Sequence, residues 1–109
     1  VTRSSDGTAL YFSRSPIPYV RDIPEDQWLS RVAFWGHLGV YGYRKQVLRE
    51  FPALPEGTLE NAEKLEQLRL LEASKRIATI EVVNRFHGVD TLGDIEIVEQ
   101  ILADRPPSE

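Results

Sequence analysis

The sequence predicts a mixed α/β fold, a mixed sheet with flanking helices. Three observations carry this expectation. Residues 9–13 and 77–83 alternate apolar and polar side chains with the period of two that a half-buried strand requires. Residues 58–75, and the segment that starts at Thr91, space their apolar residues three and four apart, the stripe of an amphipathic helix. Turn residues and prolines separate these segments, and the order strand, strand, helix, helix, strand, helix fits layered α/β packing.

At the amino end Ser4-Ser5-Asp6-Gly7 has the composition of a tight turn, so residues 1–8 and 9–13 are expected to form a β-hairpin with Leu10 and Phe12 on one face. Pro16 and Pro18 then remove two backbone donors and hold the chain extended, so it leaves the sheet there. Residues 20–31 contain Pro24-Glu25-Asp26-Gln27, the start of a short, polar and mobile helix. A strand is expected over 32–43. A helix over 44–51 follows, with Val47, Leu48 and Phe51 on one side and Pro52 and Pro55 ending it.

Residues 58–75 carry the strongest helical signal. Thr58 is placed to cap it, Glu60 and Glu63 complement the positive end of the dipole, and Leu59, Ala62, Leu65, Leu68 and Leu71 form the buried stripe. After the strand over 77–83 comes a loop over 84–90. Thr91 and Asp94 then form a capping box for a last helix with Ile95, Val98, Ile101 and Leu102 as its apolar face, and residues 105–109 are expected to fray.

Composition narrows the function classes. The chain has 109 residues, enough for one domain burying roughly two-thirds of its unfolded surface. It is 41% hydrophobic and 28% charged, as soluble globular proteins are, and no apolar run reaches the length of a membrane span. Thirteen basic and seventeen acidic residues leave a net charge of −4 with no basic block to track a phosphate backbone, so neither nucleic acid nor membrane is expected as a partner. There is no cysteine, which excludes disulfides, zinc–thiolate sites and thiol nucleophiles and is compatible with a reducing cytoplasm. The first residues lack the apolar core of a secretory signal. The opening reads as the end of a strand and the chain has no methionine, so a piece of a longer protein is expected.

Three places in the sequence have chemistry to offer. In Gly36-His37-Leu38-Gly39-Val40-Tyr41-Gly42-Tyr43-Arg44, a strand would set His37, Gly39, Tyr41 and Tyr43 on one face, polar and ring-bearing. Its glycines admit a close approach, of a ligand or of a neighbouring backbone. On the helix expected over 58–75, Glu63, Glu66, Gln67 and Leu70 share one face, either an edge able to bind a polyol or an ordinary solvated surface. Asp90 precedes the last helix, as a residue favoured by the dipole or as an oxygen ligand for magnesium. His37 and His87 have no third partner at metal-ligand spacing, and hydrogen bonding is the expected role for each. Neither a G-x-x-x-x-G-K-[ST] nor a G-x-G-x-x-G phosphate loop occurs.

Taken together, Ala9-Leu10-Tyr11-Phe12-Ser13-Arg14-Ser15-Pro16-Ile17-Pro18, the His37 to Arg44 stretch, Glu63-Lys64-Leu65-Glu66-Gln67-Leu68-Arg69 and Gly88-Val89-Asp90-Thr91 resemble the 3-deoxy-manno-octulosonate cytidylyltransferases, or CMP-KDO synthetases. The resemblance runs through nearly the whole chain but covers only the carboxyl-terminal part of that family's Rossmann-like nucleotidyltransferase fold. It implies a single partial domain, 1–109, without the amino-terminal part that holds the nucleotide. It also implies an activity: the anomeric hydroxyl of 3-deoxy-manno-octulosonate attacks the α-phosphorus of CTP for lipopolysaccharide synthesis, with Mg2+ neutralising charge, in a cytoplasmic homodimer.

Matched motif by motif, Asp90 corresponds to the family's magnesium-binding aspartate, and His37 and Tyr41 to its sugar-acid pocket, facing the helix that carries Glu63, Glu66 and Gln67. Arg14 corresponds to an arginine facing the sugar carboxylate or the dimer partner, in a stretch that resembles the homodimer region. After Asp90-Thr91 the family continues with proline and further acids, where this chain has Leu92-Gly93-Asp94. Two other readings stand beside this one. They are a non-catalytic module that binds an acidic sugar or dimerises, and a cytidylyltransferase portion acting on sialic acid or an amino-octulosonate.

Overall fold

The hairpin at the amino end is closed by its turn chemistry. Asp6 accepts from the Ser4 hydroxyl and, at 2.9 Å, from the Thr8 N–H, while Gly7 takes φ 82°, a region that side-chain-bearing residues rarely enter. In the computed structural model, which describes residues 1–83 and 88–103, β1 (Thr2–Arg3) pairs antiparallel with β2 (Ala9–Tyr11). Thr2 faces Tyr11, Arg3 faces Ala9, and the register is irregular between them. A third segment joins this hairpin. Ala78 bridges antiparallel to Thr8, the Ala9 N–H donates to the Ile77 carbonyl at 2.8 Å, and the Thr79 N–H donates to the Gly7 carbonyl at 2.9 Å.

The strand expected over 77–83 is therefore realised as that bridge alone. Beyond it Ile80 and Val83 are 89% and 95% exposed. The strand expected over 32–43 does not form. No described segment pairs with it, the Val40 N–H turns back to the Leu38 carbonyl at 2.8 Å, and an unpaired glycine-containing segment has no ladder to repay its backbone entropy.

The short polar helix appears as a 3-10 helix, Glu25–Ser30. It is pinned by an apolar residue: Trp28 is buried, stacks on Phe34, meets Tyr19 edge-on, and donates its indole N–H to the Ile23 carbonyl at 2.9 Å. The helix expected over 44–51 is present as α1 (Lys45–Glu50), which tightens into a 3-10 turn at Phe51–Ala53 where Pro52 removes a donor.

The long helix over 58–75 is two short ones, α2 (Thr58–Glu63) and α3 (Leu68–Glu72). Lys64 breaks it with φ 53°, and the Arg14 guanidinium donates to the freed carbonyls of Glu63 at 2.6 Å and Lys64 at 3.0 Å. Tertiary bonds thus outweigh helical propensity at this point. The break turns Leu68 fully inward, where it forms the core with Ala9 and Phe12; Val1, Tyr11, Leu65, Leu71 and Ile77 pack around them.

The last helix, α4 (Leu92–Ala103), starts where the sequence predicts, and half of the capping box is seen. Asp94 accepts from the Thr91 N–H at 2.8 Å, while the Thr91 hydroxyl donates to Asp94 at 2.8 Å and the Asp94 N–H donates to the Thr91 carbonyl at 3.2 Å. Its apolar face remains open, since Ile95, Ile101 and Leu102 are all exposed. Residues 84–87, including His87, and the fray expected over 105–109 lie outside the described residues. The radius of gyration is 17.1 Å, against roughly 13 Å for a closed domain of this length. The core is small, and much apolar surface has no cover within the described residues.

Candidate functional site

A groove of about 630 Å³ runs between residues 35–42 and residues 77–82, with the hairpin as its floor. The size suits a small ligand of several polar groups. His37 and Tyr41 both line it and are hydrogen-bonded to one another, Nε2 to phenol oxygen. The His37 ring meets Phe12 edge-on at 5.1 Å, and rings continue from Tyr41 through Tyr43 to Phe51. The ring-bearing side expected of this stretch therefore exists, built without a strand.

Desolvation lowers the His37 pKa from its ordinary 6.5, with the nearby amino terminus adding to the effect, and burial pushes the Tyr41 phenol up to about 12. At neutral pH this pair is an uncharged imidazole and an un-ionised phenol, suited to hydroxyl groups. Gly36, Gly39 and Gly42 face open space, where an added Cβ would meet nothing within 4 Å. Of the two reasons for glycine here, no neighbouring backbone among the described residues supplies one.

Arg14, Glu63, Glu66 and Gln67 do not line the groove. The Glu63 carboxylate accepts from the Ser13 hydroxyl at 2.7 Å and the Arg14 N–H at 3.0 Å, and these bonds hold it below the usual carboxylate range. The Arg14 side chain is spent on the end of α2, as described above. Because the helix breaks at Lys64, Glu63, Glu66 and Gln67 do not share one helical face. Glu66 is exposed beside Glu56, Glu60, Asn61 and Lys64. Gln67 is 7% exposed, and its side-chain nitrogen, wholly buried, has no hydrogen-bond partner. His37 and Tyr41 face residues 77–82 across the groove rather than the Glu63 to Gln67 segment.

Asp90 is exposed before α4, its N–H donating to Asp94 at 3.1 Å, and it does not line the groove. Among the described residues no three His, Asp or Glu side chains converge as a metal cage. One exposed carboxylate fits a magnesium ion whose remaining ligands are water and phosphate oxygens, the usual arrangement for that ion.

The cytidylyltransferase family profile matches residues 1–77. This chain belongs to the cytidylyltransferase family. Among its relatives are the 3-deoxy-manno-octulosonate cytidylyltransferases of Lawsonia intracellularis, 47% identical over 96% of this chain and 39% of that protein, and of Porphyromonas gingivalis, 47% identical over 83% and 35%. A solved structure of CMP:2-keto-3-deoxy-manno-octonic acid synthetase complexed with CTP superposes with a TM-score of 0.83, is 43% identical, and is covered over 94% of this chain and 40% of its own. The cytidylyltransferase chain thus spans about two-fifths of the length of these proteins, and its α/β elements are those of a nucleotidyltransferase fragment. No helix among the described residues is long and apolar enough to cross a membrane.

Sequence reasoning missed two features of the cytidylyltransferase chain. Arg3 lines the groove with its guanidinium 4.8 Å above the Trp35 ring, a contact between residues too far apart in sequence for a local pattern to show. Glu72 caps α2 in place of Thr58, accepting from the N–H groups of Leu59 at 3.1 Å and Glu60 at 3.2 Å. The glycine before Thr58 was the available signal, because a Cβ on Gly57 would overlap the Glu72 carboxylate.

Proposed function

We propose that this chain forms the sugar-acid side of a 3-deoxy-manno-octulosonate cytidylyltransferase. In that reaction the anomeric oxygen of the sugar acid bonds to the α-phosphorus of CTP, the bond to pyrophosphate breaks, and the hydroxyl proton is lost. The observation that carries the reading is the likeness, at 43% identity and over 94% of this chain, to a synthetase solved with CTP bound.

In this reading His37 and Tyr41 hold sugar hydroxyls as neutral donors and acceptors. Arg14 and Glu63, bonded to each other's segments, position the end of β2 against α2. Asp90 would hold Mg2+, which supplies neutralisation of charge on the phosphates. The stretch over 9–18 contributes to a homodimer, and residues 1–109 act as one partial domain, in a cytoplasmic route to lipopolysaccharide.

Isothermal titration of the purified 109-residue chain with 3-deoxy-manno-octulosonate tests this. Binding is expected, weakened roughly tenfold in His37→Ala or Tyr41→Phe, the loss of one neutral hydrogen bond or slightly more. With CTP added, no pyrophosphate is expected from this chain, which has neither phosphate loop motif. Absence of sugar-acid binding, or turnover by the chain itself, overturns the reading. A non-catalytic sugar-acid module is the second reading, favoured by the same missing motif. An in-frame nucleotide-binding segment upstream in the gene decides against it. Turnover of the full-length product with sialic acid or an amino-octulosonate, but not with 3-deoxy-manno-octulosonate, would change the substrate.

A further inference from the structure

We infer that two copies of this chain associate by laying α4 of each against α1 of the other, the acids of α4 facing the cations of α1. Charge is segregated along the sequence. Residues 31–49 hold four basic residues and no acidic one, whereas residues 88–103 hold four acidic residues and no basic one. The cations of the first segment are unspent. Arg69 is bound by Glu60, Arg76 by Asp6 and Arg14 by the carbonyls at the end of α2, but the side chains of Arg44, Lys45 and Arg49 are exposed and have no hydrogen-bond or ion-pair partner among the described residues. Glu50, the acid at the end of α1, is already held by Lys75 at 3.0 Å.

Each helix joins its charge to exposed aliphatic surface. On α1, Lys45 stands three residues before Leu48 and four before Arg49, so the three share a side, and Leu48 is 56% exposed. On α4, Glu99 stands four residues after Ile95 and three before Leu102, at the edge of an apolar stripe that is also open, and Glu96 extends that edge by a turn. Nucleic acid and anionic lipid would repel α4, so the surface that suits it is a basic, partly apolar protein face. That face is on α1, and within one chain the two helices do not pack together. Because every copy carries one helix of each kind, a two-fold axis makes the contact twice. Neither helix lines the groove, so the contact stands apart from the sugar-acid reading.

Reciprocal charge reversal tests this on the full chain by sedimentation equilibrium in 0.1 M NaCl. The parent is expected to pass from 12.4 kDa to about twice that mass as concentration rises, and to dissociate when the salt is raised. Glu96→Arg with Glu99→Arg, and separately Arg44→Glu with Arg49→Glu, are each expected to weaken association roughly tenfold by setting like charges opposite one another. Mixed in equal amounts, the two variants are expected to recover the parent affinity, because α4 of each then meets a complementary α1 in both halves of the dimer. If circular dichroism shows a reversed variant to be unfolded, the neutral pairs Glu96→Gln with Glu99→Gln and Arg44→Gln with Arg49→Gln replace it, each expected to weaken the dimer by a smaller factor. A parent that stays monomeric, association unchanged by either charge change, or folded reversed variants that fail to recover on mixing overturns the inference.

Discussion

Glu60 is 6% exposed, and the Arg69 guanidinium makes its charge tolerable, donating to the two carboxylate oxygens at 2.7 and 2.6 Å. The bidentate pair holds α2 to α3 across the break at Lys64. Hydrogen bonds from Arg69 are the main reason that the Glu60 carboxyl lies below its ordinary 4.5. Its folded-state pKa is thus below its unfolded value, so the stability it contributes is complete above about pH 4.5 and lost as pH falls through the lower folded value. Thermal melts between pH 7 and pH 3 are expected to show a shallower acid slope in Glu60→Gln than in the parent. Arg69→Met should lower Tm at neutral pH more than Arg76→Met does, because Arg76 pairs with Asp6 at the surface. Equal effects of the two arginine substitutions would show that the Glu60–Arg69 pair does not brace the break.

Helix α2 has six residues, too few to persist by propensity, and it depends on caps that come from elsewhere. Glu72 supplies the amino-terminal cap across Gly57, and Arg14 binds the carbonyls at the other end. Gly57→Ala puts a methyl group where the Glu72 carboxylate sits, so it is expected to cost about 1 kcal/mol, the value of a lost amino-terminal cap. Chemical denaturation measures this, and Gly57→Ala combined with Glu72→Ala should be no less stable than Glu72→Ala by itself. Leucines at helical spacing made helix legible over 58–75, but of the expected stripe only Leu68 is fully buried, and Leu59 and Ala62 are exposed. Leu70, expected on the polar face, is buried, because the break rotates the second half. The break was not legible, since Lys64 is a good helix former and its left-handed conformation is stabilised by Arg14, fifty residues earlier. The helix start at Thr91 and the Asp94 bond back to the Thr91 N–H were legible because both partners lie within one turn. Of the candidate site, His37 and Tyr41 emerged together in the structure because they are four residues apart, while Arg3 required the fold.

At the scale of the molecule, the apolar residues of 38–40 and 80–83, together with the open face of α4, are exposed apolar surface. Residues 80–83 are β-branched or acidic and have no ladder partner among the described residues, which is the condition that favours pairing with another chain. The purified chain is expected to elute from size exclusion at an apparent mass that rises with concentration, and Val40→Lys with Ile80→Lys should return it toward 12.4 kDa. A concentration-independent monomer with a cooperative melt would show instead that the small Ala9–Phe12–Leu68 core suffices. The expanded radius of gyration, 17.1 Å, agrees with this open apolar surface.

What the sequence determined by itself was local: the hairpin turn, the helix start at Thr91, the presence of both strand and helix, and the four motifs that resemble the cytidylyltransferases. Each depends on residues within a few positions of one another, where backbone preference and side-chain spacing act directly. The tertiary structure alone decided the rest. Strands over 32–43 and 77–83 need neighbours to hydrogen-bond, helix 58–75 yields where distant side chains satisfy its backbone, and the groove exists only where the hairpin meets two segments remote in sequence. Those outcomes depend on pairings that no local pattern encodes.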